Sequence, residues 1–138
     1  MTDPSTFRSH CPTNYALEHF GDRWTLLIIR DLLFLEKQYF REFLSGEEAI
    51  STNILSDRLK KMEKDGLIAH RSDPADARRQ VYLLTDKGID LARIMVEINR
   101  WSAKHDPFTD VPPDYARRVE EDFESVIAQA VARARAKL

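Results

Sequence analysis

Apolar residues recur along most of the chain at helical three- and four-residue steps, and one interruption by short apolar runs and turn residues marks its organisation. Tyr15, Ala16 and Phe20 give a short helical stretch over about Thr13–Phe20, ended at Gly21-Asp22. From Arg23 to about Leu35, Trp24, Leu27, Ile28, Leu32 and Leu35 recur at three- and four-residue steps, the spacing of a helix with one broad inward face. Tyr39, Phe40, Phe43 and Leu44 predict a short third helix buried by its aromatic rings. Ser51 is a good N-cap for a fourth helix over Thr52–Asp65, and Gly66 suits the left-handed position just past its end.

The pattern then shortens. Leu67–Arg71 and Gln80–Leu84 predict two strands paired as a hairpin. Ser72-Asp73-Pro74-Ala75-Asp76-Ala77 between them is turn chemistry. Helical spacing returns after Thr85, through Leu91, Ile94, Met95, Ile98 and Trp101. A connector over 105–113 holds Pro107, Pro112 and Pro113. One last helix from about Asp114 carries a stripe of Tyr115, Val119, Phe123, Val126, Ile127, Ala130, Val131 and Ala134. Helices followed by a β-hairpin, mainly α overall, is the order of a winged helix-turn-helix, with Thr52–Asp65 as recognition helix and the hairpin tip as wing. The expected domains are a flexible tail over 1–10, the winged helix over 11–104, a linker over 105–113 and a C-terminal helix over 114–138. That last helix serves dimerisation or folds back on its own subunit; dimerisation is the preferred reading.

Length and composition narrow the class. The 138 residues fit one compact domain, and 43% hydrophobic with 32% charged residues is globular rather than disordered. The apolar run Leu26–Ile29 is far too short for a membrane span, and residues 1–10 lack a signal-peptide core, so a cytoplasmic location is expected. The net charge of −2 is not that of a strongly basic nucleic-acid binder. Residues 51–80 are locally positive, with seven basic and five acidic side chains.

On a wheel of ~100° per residue, Leu55, Leu59 and Met62 share the inner face of the fourth helix. Asn53, Ser56, Asp57, Lys60 and Lys64 share the outer one. Asn53, Ser56 and Lys60 would enter a major groove, where Asn53 and Ser56 can read base edges and Lys60 can reach guanine acceptors or phosphates, with Thr52 and Lys64 near phosphates. A merely solvated helix would show the same face. Arg78 and Arg79 end the hairpin tip. They could enter a minor groove, pair with Asp73 and Asp76 to order the loop, or both.

These motifs together resemble the HxlR-type winged-helix transcriptional regulators, relatives of the MarR group. The resemblance runs over about 11–101: Cys11-Pro12, Leu17-Glu18, Gly21 to Leu32, Tyr39 to Phe43, Ile50 to Leu59, Gly66-Leu67-Ile68, Tyr82 to Gly88, and Trp101. The wing, Asp73 to Arg79, looks more like the MarR wing, and 105–138 lies outside the motifs. The resemblance implies a homodimeric regulator on a pseudo-palindromic operator in double-stranded DNA, acting as a repressor. The alternative is a winged-helix protein-interaction module without DNA binding.

Cys11, the single cysteine, precedes a helix start whose dipole favours thiolate. Some members of the resembled family sense oxidants or electrophiles there, which makes Cys11 a candidate redox sensor. A small buried side chain is the other reading. His10, His19, His70 and His105 lack metal-ligand spacing, and no phosphate loop or nucleophile motif appears, so no metal, cofactor or enzymatic activity is expected. Trp24 and Trp101 read as core or interface anchors.

Overall fold

A computed structural model of the chain describes residues 3–138. Its elements are α1 (Pro12–Phe20), α2 (Thr25–Leu33), α3 (Phe40–Leu44), α4 (Thr52–Lys64), β1 (Ile68–Ser72), β2 (Gln80–Leu84), α5 (Asp86–Ile89), α6 (Ala92–His105), α7 (Pro113–Glu121) and α8 (Phe123–Arg135). The fold is a mainly helical winged helix-turn-helix with one two-stranded antiparallel hairpin.

The start of α2 is held by Asp22. Its carboxylate accepts from the Trp24 and Thr25 amides at 2.8 and 3.0 Å and from the Thr25 hydroxyl at 2.6 Å. Burial pushes this carboxyl up, but the three donors and the Arg58 guanidinium outweigh it and leave it below its ordinary value. Ile28, Ile29, Leu32 and Leu33 of α2 are buried against Phe43, Leu55, Leu59 and Met62 of the next two helices. At ~1.5–3 kcal/mol per fully buried large apolar side chain, this layer supplies much of the fold's stability.

Gly66 closes α4 as expected, with φ at +77°. The Leu67 amide donates to Met62 and the Gly66 amide to Glu63, a Schellman arrangement. Thr85 then clamps this corner. Its hydroxyl donates to the Gly66 carbonyl and accepts from the Gly88 amide, while its own amide donates to Leu67. A Cβ on Gly88 would lie 2.1 Å from the Leu67 carbonyl oxygen, which is backbone and cannot swing aside. Gly88→Ala is therefore expected to destabilise the chain by at least ~1–3 kcal/mol. A urea melt checks this; an unchanged midpoint would remove the close approach as the reason for glycine there.

Several expectations are corrected. The tail is not loose over its described part. Residues 4–6 form one 3₁₀ turn capped by Asp3, the Arg8 amide donates to Glu18, and the Phe7 ring packs edge-on against Tyr15 and His19. Residues 1–2 of that expected tail lie outside the described residues. Leu35 falls beyond the end of α2 and is exposed rather than inward. The helix after Thr85 breaks at Asp90-Leu91 into α5 and α6.

The largest correction concerns 114–138. In place of one rod there are two helices, broken at Asp122, whose φ and ψ of −150° and 71° are not helical and whose side chain caps α8 at the Ser125 amide. α8 lies against α2, α5 and α6 of its own chain. Ala130 and Ala134 join the main core, and Val119, Val126 and Ile127 form a second buried cluster with Val96 of α6. The stripe read as a dimerisation face is thus largely an intrachain cover. Its small residues let α8 sit close to α2.

Candidate nucleic-acid interface

α4 is oriented by its inner edge. Ser51 caps it, accepting from the Ile54 amide at 3.3 Å. Leu55, Leu59 and Met62 are buried. Two of its basic residues are engaged internally: Arg58 pairs with Asp22 at 3.7 Å, and Lys61 donates to the Glu18 carbonyl at 2.8 Å and to Asp65. These contacts tie α4 to α1 and to the start of α2, fixing how far its outer face projects.

On that face Thr52, Asn53, Asp57, Lys60 and Lys64 are exposed, and Ser56 is half-buried. Among the described residues neither Lys60 nor Lys64 has an ion-pair partner within 4 Å. Ser56 and Lys60 lie toward the hairpin, lining a cavity of about 170 Å³ with Phe40, Leu59, Glu63, His70 and Tyr82. The Glu63 carboxylate is hydrogen-bonded to His70 Nδ1 on β1, so this acidic side chain is engaged. Asp57 remains the one outward acid among the candidates, well placed to accept from a base amine and poorly placed beside a phosphate.

The hairpin pairs Ile68 with Leu84 and Ser72 with Gln80. Its tip separates the two arginines. Arg79 donates twice to Asp73, at 2.7 and 3.0 Å, and its guanidinium lies 3.9 Å over the Tyr39 ring. Asp73 is buried, and the Ala75 amide and Arg79 hold its carboxyl below its ordinary value. Arg79 is therefore a strut that fastens the wing base to the segment before α3. Arg78 has a side chain 91% exposed, and its one ion pair among the described residues is with Asp76 at 3.2 Å. The two arginines thus divide the alternatives, one ordering the loop and the other projecting. Tyr39, beneath Arg79, was missed from sequence because its partner lies forty positions on.

Cys11 is the N-cap of α1 and is exposed, which overturns the buried alternative. The Asn14 and Thr13 amides beside its sulfur hold the thiol below its ordinary value, since both favour the thiolate. Trp24 is half-buried, whereas Trp101 is 67% exposed and no core anchor. No group of three or more His, Cys, Asp or Glu among the described residues is placed to hold a metal, and no helix among them is long and apolar enough to cross a membrane.

A capped helix with an outward polar face, followed by a pinned hairpin with one projecting arginine, defines a winged helix-turn-helix of the transcription-regulator type. Residues 19–109 match the HxlR-like helix-turn-helix family, and the chain belongs to it. It is 36% identical to the HTH-type transcriptional regulator YvaP of Bacillus subtilis (strain 168) over 95 residues, 68% of this chain and 87% of that protein. It is 31% identical to the HTH-type transcriptional regulator YodB of the same organism, over 67% of this chain and 82% of YodB. The reduced form of YodB superposes with a TM-score of 0.57 over 74% of this chain and all of that one, at 28% identity. YodB has also been solved with quinone bound. The crystal structure of PA1607 gives a TM-score of 0.68 at 30% identity, covering 78% of this chain and 74% of that one.

Proposed function

We propose that the chain is a sequence-specific DNA-binding repressor that acts as a homodimer on a two-fold symmetric operator and loses DNA when Cys11 reacts with an electrophile. The observation that carries the DNA reading is the outer face of α4, where Asn53, Lys60 and Lys64 are exposed while the neighbouring cations Arg58 and Lys61 are engaged internally. Asn53 and Ser56 read base edges, Lys60 enters the major groove beside them within reach of a phosphate, Thr52 and Lys64 meet phosphates, and Arg78 enters the minor groove while Arg79 holds the wing. One 13-residue helix reaches few base pairs. Two copies on a two-fold axis read half-sites ~34 Å apart, or a multiple of that.

α6 supports the pairing. Ile94, Ile98 and Trp101, at i, i+4 and i+7, form an exposed apolar stripe that its own chain leaves uncovered. A second copy would bury it. The double variant Ile98→Glu/Trp101→Glu should be monomeric by light scattering, with unchanged circular dichroism and DNA affinity reduced at least tenfold, because the two half-site contacts are uncoupled. A variant that stays dimeric moves the seam elsewhere.

The DNA reading itself is tested by titrating duplexes selected from a random pool at several salt concentrations. Several phosphate contacts require log K to fall linearly and steeply with log salt. Absence of saturable, salt-dependent binding would leave the protein-interaction module standing.

Cys11 brings the effector. Its thiol is exposed and held low by amides, the condition for reaction with soft electrophiles such as quinones. Iodoacetamide alkylation should rise with pH through an apparent pKa lower than that of the same thiol in the urea-unfolded chain. Quinone treatment should release DNA from the natural chain, while Cys11→Ser binds DNA and ignores the quinone. Release that persists in Cys11→Ser would sink the assignment.

A further inference from the structure

The C-terminal segment builds a second concave site that the DNA-binding reading does not use. Two lobes, of about 280 and 310 Å³, share Asn99, Val111 and Tyr115 and so form one elongated cleft between α6, α7 and the end of α2. Together they reach the size range of small-ligand sites. One lobe is walled by Ala103, Ala116 and Val119 and the other by Phe34, Val111 and Pro112, all apolar. On α6, Asn99 and Ala103 lie opposite Ile94, Ile98 and Trp101 at ~100° per residue, so pairing through that stripe leaves the cleft open. Part of its wall, α7 and Arg133, lies beyond the residues that match the family.

Eight of the fourteen lining residues are polar or charged, and two of them, Asn99 and Tyr115, line both lobes. Asn99 donates through Nδ2 to the Tyr115 hydroxyl oxygen at 3.1 Å, which leaves the hydroxyl proton and the Asn99 carbonyl available to a ligand. Arg30 lines the same lobe, but its guanidinium is taken by Asp31 and Glu48. Arg133 lines it too, is exposed, and has no ion-pair partner among the described residues. Arg100 and Lys104 stand at the other lobe, Arg100 paired with Glu97. The acids on the rim are Asp110 and Glu120.

We infer that this cleft binds a small monocarboxylic acid with an apolar, ring-sized body. The body lies against Phe34, Val111 and Pro112. The carboxylate takes the Arg133 fork and the Tyr115 proton, a charge-assisted pairing a neutral analogue lacks. Asp110 disfavours a second negative charge. The site deepens the regulatory reading by naming an effector class that needs no covalent step.

The test uses the DNA-free full chain and isothermal titration with phenylacetate, its neutral amide phenylacetamide, and the dianion phenylmalonate. Phenylacetate should bind saturably, with the amide and the dianion each at least tenfold weaker. Arg133→Gln, an exposed change compatible with folding, should weaken phenylacetate at least tenfold and leave the amide unchanged. Tyr115→Phe should weaken it a few-fold. No saturable binding, equal binding of acid and amide, or an unaffected Arg133→Gln would each overturn the inference. Because no DNA is present, failure here leaves the DNA reading intact, and failure of DNA binding leaves this result readable.

Discussion

Deleting residues 106–138 should leave a chain that does not fold, rather than a folded monomer. Three of the four members of the second buried cluster, Val119, Val126 and Ile127, go with the deletion, and Val96 loses its cover. Ala130 and Ala134 leave the main core, where they sit beside α2. At ~1.5–3 kcal/mol for each of the three larger side chains, about 5–9 kcal/mol of burial is removed. Typical total stabilities are ~5–15 kcal/mol, so the loss is of the same order as the whole. The deletion also uncovers the side of α2 against which α8 packs. The expected result is aggregation, or a soluble chain without a cooperative urea transition. A cooperatively folded truncation would show that α7 and α8 add little to the fold and would return them to a role between subunits. The variant Ala130→Leu gives a gentler measure: overpacking the α2–α8 contact should lower stability by ~1–3 kcal/mol with the whole chain present.

How much of this was legible in the sequence differs by element, for physical reasons. The boundaries of α4 were readable because local chemistry sets them: a serine hydroxyl for an orphan amide at one end, and a residue free to take φ of +77° at the other. The hairpin was readable because two short apolar runs, Leu67–Ala69 and Val81–Leu84, flank a tip rich in turn formers. The C-terminal rod was misread because apolar spacing continues with helical period straight through Asp122. Only the N-capping strength of that aspartate, with Ser125 three residues on, marked the break. Periodicity shows that a face is buried but not against which chain, and so the stripe could be given to a partner when its own α2 covers it.

The candidate interface followed the same division. The outer residues of α4 were found by angle alone. Which cations remain outward was not, because Arg58 meets Asp22 and Lys61 meets the Glu18 carbonyl across more than thirty positions. The fate of Arg78 and Arg79 depends likewise on Tyr39 and on the depth of Asp73, neither of which a turn pattern records.

Four single variants should separate these roles, with the largest effect at Asn53. If its carboxamide makes a bidentate contact to adenine, Asn53→Ala costs ~1–3 kcal/mol per half-site and relaxes preference at one base pair, while affinity for unrelated DNA changes little. Lys60→Ala, at an exposed position, should not disturb folding. It should weaken binding on every sequence and lower the slope of log K against log salt by ~1 per subunit if the ammonium meets a phosphate. Arg78→Ala should also weaken binding, most of all on sites with A·T-rich flanks, where the minor groove is narrow. Arg79→Ala should act by another route. With its guanidinium gone, the buried Asp73 loses its cation and Tyr39 its cover, so the wing loosens and the melting temperature falls along with affinity. Binding curves over a salt series, with melts of each variant, distinguish the four. Folded Asn53→Ala and Lys60→Ala chains that keep the parent's affinity, preference and salt slope would remove α4 as the reading helix and leave the exposed polar face as ordinary solvated surface.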